Sequence, residues 1–116
     1  MTVEAEVRPA VARDINRLLR PRSVAIVGAS EKPGALGASV LANFVRNDYP
    51  GDIHLINPKR ETIDGRPCIP SVEALPDGVD LAILAIPRGA VLDTVRQLAA
   101  KKVGAAIIFA AGFAEG

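Results

Sequence analysis

The sequence predicts an α/β domain, a doubly wound parallel sheet of about five strands in the order 3-2-1-4-5 with helices on both faces. Three observations carry this. Apolar runs alternate with segments of helical periodicity along most of the chain. The run Asp80-Leu81-Ala82-Ile83-Leu84-Ala85-Ile86 is apolar on both faces, as in a sheet covered by helices on both sides. Ser23-Val24-Ala25-Ile26-Val27 empties into a glycine-punctuated turn, Gly28 to Gly37, which reopens as a helix. The connections are long enough for crossovers, and such crossovers are right-handed.

Residues 1–10 are an unpatterned lead, followed by a short helix whose Val11, Ile15, Leu18 and Leu19 fall on one face. Pro21 ends it. Residues 1–20 therefore stand as a lead, and residues 21–116 as the domain proper. After the first strand, Leu36, Val40, Leu41, Phe44 and Val45 recur at helical intervals, so a helix from about Ala35 to Arg46 packs on the sheet. The stretch Asn47 to Asp52 is a turn, and Ile53-His54-Leu55-Ile56 is a second strand that stops at Asn57-Pro58.

From Lys59 to Pro70 the chain is polar and broken by Gly65, Pro67 and Pro70, which leaves room for a short edge strand around Pro67 to Ile69. Ser71 is placed to cap a brief helix through Leu75. After the long strand at Asp80 to Ile86, Val91, Leu92, Val95, Leu98 and Ala99 define another amphipathic helix. Lys101 and Lys102 suit its negative C-terminal end, and Gly104 closes it. Ala105 to Phe109 is the last strand, followed by a glycine turn, Ala110 to Gly116, with no helix after it. A parallel strand without its helix would leave an apolar face wet, so the expectation is a domain cut from a longer parent.

Composition narrows the function classes. A chain of 116 residues has room for one domain, and its 49% hydrophobic and 23% charged residues are those of a globular one. No apolar run is long enough to cross a bilayer, and the start, with two acids before Val7, does not read as a secretory signal. The expected location is cytoplasmic, with no membrane partner. The formal net charge is +1 with Lys and Arg scattered singly, and aromatics total 3%, so neither a nucleic-acid footprint nor a base-stacking platform is expected. Cys68 is the single cysteine, which excludes an internal disulfide and a multi-cysteine metal site and suits a packing thiol.

In doubly wound sheets ligands bind beyond the strand C-termini where the winding reverses, here between the first and fourth strands. Four turns meet there: Gly28 to Gly37, Asn57 to Arg60, Pro87 to Gly89, and Ala110 to Gly116. Glycines let a backbone approach an anion closely, and the first N–H groups of the following helix point at it. The G-x-G-x-x-G dinucleotide fingerprint is not met, because Gly34-Ala35-Leu36-Gly37 supplies only its tail and Gly28 lies six residues before Gly34. No G-K-[ST] follows, which disfavours a triphosphate cradle. At the end of the second strand, where an NAD site places an acid, stand Asn57, Lys59 and Arg60. Cations there suit a ribose phosphate, as in NADP or coenzyme A, or form an ordinary solvated basic turn.

Four marks in order resemble a known family. They are Pro21-Arg22-Ser23-Val24-Ala25-Ile26-Val27-Gly28-Ala29-Ser30 with Lys32-Pro33-Gly34 and Gly37; Ile56-Asn57-Pro58-Lys59; Leu84-Ala85-Ile86-Pro87; and Ala111-Gly112-Phe113-Ala114-Glu115. Over about Leu18 to Gly116 the chain is similar to the coenzyme A-binding N-terminal domain of NDP-forming (ADP-forming) acyl-CoA synthetases, related to the succinyl-CoA synthetase alpha subunit. The resemblance implies a Rossmann-like fold in which Gly28, Ala29, Ser30, Lys32, Pro33, Gly34 and Gly37 cradle coenzyme A phosphates, Ser30 and Lys32 as side-chain donors. It implies that Lys59, with Asn57 and Pro58, serves a phosphate of the nucleotide end. Ile86 and Pro87 would line the adenine or pantetheine path, and Gly112, Phe113 and Glu115 would lie near the thiol-bearing arm.

The family interconverts acyl-CoA, phosphate and ADP with free acid, coenzyme A and ATP, through an acyl phosphate and a phosphohistidine. The likeness places that histidine in a following domain and the nucleotide in an ATP-grasp part, so the partners expected are coenzyme A or acyl-CoA and the remaining synthetase domains. No catalytic residue is expected within this chain, and no metal; His54, inside the second strand, reads as structural. Two alternatives stay open: an NADP-binding domain of an oxidoreductase, and a coenzyme A-binding regulatory module of an acetyltransferase or stand-alone protein.

Overall fold

β1 (Ser23–Val27) is the axis of the sheet, because four of its five residues are buried and it is paired on both sides. The computed structural model describes residue 17 and residues 19–109. After β1 come α1 (Leu36–Arg46), β2 (Asp52–Ile56), β3 (Thr62–Ile63), β4 (Arg66–Ile69), a 3₁₀ turn (Val72–Ala74), β5 (Leu81–Leu84), a second 3₁₀ turn (Arg88–Ala90), α2 (Val91–Ala100) and β6 (Ala105–Ile108). The sheet order is β3-β4-β2-β1-β5-β6. Its parallel strands β4, β2, β1, β5 and β6 take the order the sequence predicts. β3, antiparallel to β4, is an addition that moves β4 off the edge.

That addition is made by a hairpin at Asp64-Gly65, where both residues have positive φ (52° and 78°), the backbone of a type I′ turn. The hairpin brings Ile63 into the core, fully buried. Pro67, lacking an N–H, is tolerated because it pairs only with the two-residue β3, while Cys68 and Ile69 pair with β2.

Two apolar layers sandwich the sheet. On one face Val24, Ile26, Leu55, Ile63, Leu81 and Ile83 meet Val40 and Leu41 of α1. On the other, Ala25, Val27, Ala82, Leu84 and Ala106 meet Leu98 of α2 and Val72 and Leu75 beside the first 3₁₀ turn. Each fully buried Leu or Ile contributes roughly 1.5–3 kcal/mol of transfer free energy.

Three apolar residues counted toward the helix faces lie outside them: Val45 (47% exposed), Leu92 (61%) and Leu19 (68%). At about 100° per residue, Val45 falls past the edge of the stripe centred on Gly37, Val40 and Leu41. Leu92 is likewise one residue off the stripe of Val91, Val95 and Leu98.

Local signals differ in two more places. Ser71 makes no side-chain cap; the 3₁₀ turn is closed by backbone bonds from Ala74 N to Ser71 O (3.1 Å) and Leu75 N to Val72 O (3.0 Å). α2 is ended by Lys102 in the left-handed region (φ 61°), not by Gly104. Gly104 is needed for space, since a Cβ there would sit 2.6 Å from Asp80 O and 2.7 Å from Arg17 Nε. β5 is shorter than the predicted strand, although Ala85 N still donates to Val27 O (2.8 Å).

The N-terminal edge of the sheet is closed by Asp80, only 2% exposed. Its Oδ1 accepts from Arg17 Nε (2.7 Å) and its Oδ2 from Arg22 N (2.8 Å), while its own N–H donates to Ser23 Oγ (3.2 Å). Burial pushes the Asp80 carboxyl upward, but these hydrogen bonds and the charges of Arg17 and Arg22 outweigh it and hold the group below its ordinary value. Nearby, Tyr49 donates to Pro21 O (2.7 Å) and meets Phe44 edge to face, centroids 5.2 Å apart. Along α1, a groove of about 440 Å³ is lined by Val40, Phe44, Tyr49, Ile83, Ile107 and Phe109.

Candidate functional site

At the C-terminal edge of the sheet, three of the four predicted turns meet, and β1, lying between β2 and β5, positions them. Gly28 leaves β1 with φ +89°, and a Cβ there would collide with the Ala85 carbonyl of the β5 exit. The amides of Gly28 and Ala29 both donate to Ile56 O, at 3.2 Å each. These two N–H groups are thus committed to the end of β2, and the residues shape the turn.

Gly37 has a similar packing duty, because its Cβ would collide with Gly28 O. Its absence lets the first turn of α1 press against the exit of β1. Gly34 differs: φ is +87° and nothing lies within 4 Å of the Cβ position, so its glycine serves conformation and leaves open space.

The N-cap of α1 is Ala35, which makes no side-chain cap, and no acid stands in the first turn. The first N–H groups of a helix have no partner within it, and the helix dipole adds positive potential there. Ser30 Oγ accepts from Lys32 N (3.0 Å), fixing the turn locally, and a hydroxyl that accepts one bond can still donate another. Lys32, Pro33 and Gly34 are exposed.

Asn57 joins two turns. Its Nδ2 donates to Ala29 O (2.9 Å), its Oδ1 accepts from Lys59 N (2.7 Å), and its N–H donates to Ile69 O (3.0 Å). The side chain where an NAD site keeps an acid is therefore a bracket that sets Lys59 beside the first turn. Lys59 and Pro58 are exposed. On the other flank, half-buried Ile86 packs on the α2-side core, and exposed Pro87 precedes the second 3₁₀ turn. Gly112, Phe113 and Glu115, with the whole Ala110 to Gly116 turn, lie outside the described residues.

Sequence reasoning missed Glu31. Its Oε1 pairs with Arg60 and its Oε2 accepts from Asp64 N (3.1 Å), so one carboxylate spans the first turn, the second turn and the hairpin. The Asp64-Gly65 dipeptide, a strong hairpin signal, could have revealed this third element.

The chemistry on offer is anion binding. Burial pushes the Cys68 thiol up, against the opposing charge of Arg60, which keeps it protonated and poorly nucleophilic at neutral pH. His54 is half-buried within β2, in register with Ala25. Among the described residues no three His, Cys, Asp or Glu side chains are grouped to hold a metal, and no helix is long and apolar enough to cross a membrane.

Comparison with known proteins is consistent with this geometry. The family model described as CoA binding domain matches residues 22–115. A trans-feruloyl-CoA synthase from an unknown prokaryotic organism is 52% identical over 103 residues, 89% of this chain and 15% of that protein. The ADP-forming acetate–CoA ligase I of Archaeoglobus fulgidus is 40% identical over 101 residues, 87% of this chain and 14% of the ligase. A solved structure of the dinucleotide-forming acetyl-coenzyme A synthetase 1 of Ca. Korarchaeum cryptofilum, in complex with phosphate and ADP, superposes with a TM-score of 0.73 at 33% identity. It covers 78% of this chain and 19% of its own. The chain thus spans about a seventh of the length of these curated relatives. From residues 22–115 it belongs to the CoA-binding domain family, as a Rossmann-like domain related to ADP-forming acyl-CoA synthetases.

Proposed function

We propose that this chain binds coenzyme A through its phosphates at the Gly28–Gly37 turn, as the coenzyme A-binding part of an ADP-forming acyl-CoA synthetase. The observation that carries the reading is the uncapped N-terminus of α1, free of acids in its first turn and preceded by Lys32 and the open space at Gly34. Lys59, brought alongside by Asn57, is the second cation.

The residues fit the ligand. A flexible polyanion needs backbone donors at one place and a point charge at another. The turn offers the first, with Ser30 and Lys32 as side-chain donors, and Lys59 offers the second, for a phosphate at the nucleotide end. Ile86 and Pro87 give an apolar flank for the adenine or pantetheine. The phosphoryl-carrying histidine and the ATP-grasp part belong to other portions of the synthetase, and coenzyme A is a substrate of the whole.

Calorimetry of the chain with coenzyme A and with its 3′-dephospho form tests this. Binding of coenzyme A, weakened when the 3′-phosphate is missing, is the expected result. Binding of neither overturns the reading, and preferential binding of NADPH replaces it with an oxidoreductase domain. Lys59→Ala should lower coenzyme A affinity about tenfold or more, the worth of a charge-assisted hydrogen bond of roughly 1.5–3 kcal/mol. Unchanged affinity would return Lys59 to a solvated turn.

A further inference from the structure

We infer that Glu31 is a positioning residue for the anion site: it ties the ligand turn to the Asp64-Gly65 hairpin and masks its own charge with Arg60. The inference rests on the reading of Gly28–Gly37 as the phosphate turn. A carboxylate inside a turn that receives a polyanion should repel it, so its presence there needs a reason.

The geometry supplies one. Glu31 is partly exposed, its side chain retaining 34% of its accessibility, yet both oxygens are engaged, one by the Arg60 guanidinium and one by the Asp64 amide. These partners lie 29 and 33 residues away in sequence, on the second turn and on the hairpin. Opposite, Asn57 holds Ala29 O. The first turn is thus pinned on one side of Ser30 by an amide and on the other by a carboxylate. Ser30, between these two pins, and Lys32, directly after the second, are held in place before a ligand arrives. A turn ordered in advance does not spend binding energy on its own ordering.

Arg60 has a second consequence. Its charge neutralises Glu31, so removing Arg60 takes away one of the two tethers, leaving the bond from the Asp64 amide, and exposes an uncompensated carboxylate to the phosphates. Removing Glu31 loses the anchor but also the repulsion. The tether therefore demands that removing Glu31 weaken binding, whereas removing a carboxylate that only repels would strengthen it.

The test uses Glu31→Ala, Arg60→Ala and the double variant, read by coenzyme A calorimetry at two salt concentrations and by amide exchange across residues 30–37. Glu31→Ala should weaken binding roughly three- to fivefold, the scale of a surface-pair tether, and accelerate exchange in that segment. Arg60→Ala should weaken it more, and the double variant should fall between the two. The salt dependence should persist in Glu31→Ala and shrink in Lys59→Ala, because of these two residues Lys59 alone is a cation that would meet the anion. Tighter binding by Glu31→Ala would mean that the carboxylate only repels, and overturns the inference. Unchanged affinity or unchanged exchange overturns it too. If the unaltered chain binds no coenzyme A, the proposed function falls, and exchange alone decides the tether: faster in Glu31→Ala upholds it, unchanged removes it.

Discussion

The two ends of the sheet use charge in opposite ways. At the N-terminal edge Asp80 is 2% exposed, with Arg17, Arg22 and Ser23 around it, and it locks the bottoms of β1 and β5 together. At the C-terminal edge the charges of Glu31, Lys32, Lys59 and Arg60 sit on turns, exposed or partly so, around a helix end with no side-chain cap. Burial decides the difference. A buried carboxylate with every bond made specifies the fold, whereas half-exposed charges cost little to rearrange and remain available to a ligand.

The contrast is tested most severely by Asp80→Ala, which leaves Arg17 and the Arg22 amide facing an empty place. Breaking a buried pair from one side costs about 3–5 kcal/mol, a large part of a small domain's stability. Urea unfolding of the purified chain would measure it. A loss under about 1 kcal/mol would mean that the two ends do not differ in kind.

Acid should act through the same carboxyl. Its pKa in the folded chain lies below the ordinary 3.8, so its contribution is complete above that value and is lost as pH falls through the lower folded value. Stability of the chain should therefore fall more steeply below about pH 4 than that of Asp80→Asn, in unfolding curves recorded from pH 6 to pH 2.

A pair of glycine substitutions sharpens the contrast within the C-terminal edge. Gly28→Ala combines positive φ with a collision against Ala85 O and should cost about 3 kcal/mol by thermal unfolding. Gly34→Ala meets nothing and should cost only about 1–2 kcal/mol, from its φ alone. Smallest is Arg22→Gln. The Arg22 side chain is 90% exposed with Nε 3.5 Å from Asp80, and the stronger contact is its backbone amide, so a shift under about 0.5 kcal/mol is expected in the same unfolding assay.

Much of the fold was legible because buried parallel strands and amphipathic helices carry long periodic signals. β1, β2, β5, β6, α1, α2 and the order of the parallel strands follow from such runs. The turns were legible from glycine spacing, though not which glycine does what, since Gly28 and Gly34 share a positive φ but only one is crowded. Two things were hidden. β3 is two residues long, too short for periodicity, and Asp80 looked like the first residue of a strand because its partners Arg17 and Arg22 are 63 and 58 residues away. Glu31 was hidden for the same reason, its bonds being local in space and distant along the chain.

The crowding at Gly28 and Gly37 has a consequence for how variants would be selected. A library of this chain screened for folding alone would keep both glycines, because any side chain drives the helix, the turn and the β5 exit apart. On the proposed reading the same screen would let Ser30, Lys32 and Lys59 drift, and only a second screen demanding coenzyme A would hold them. Invariance of the glycines in such a population would therefore report the architecture, and a proposed ligand would have to be sought in the polar residues between and beside them.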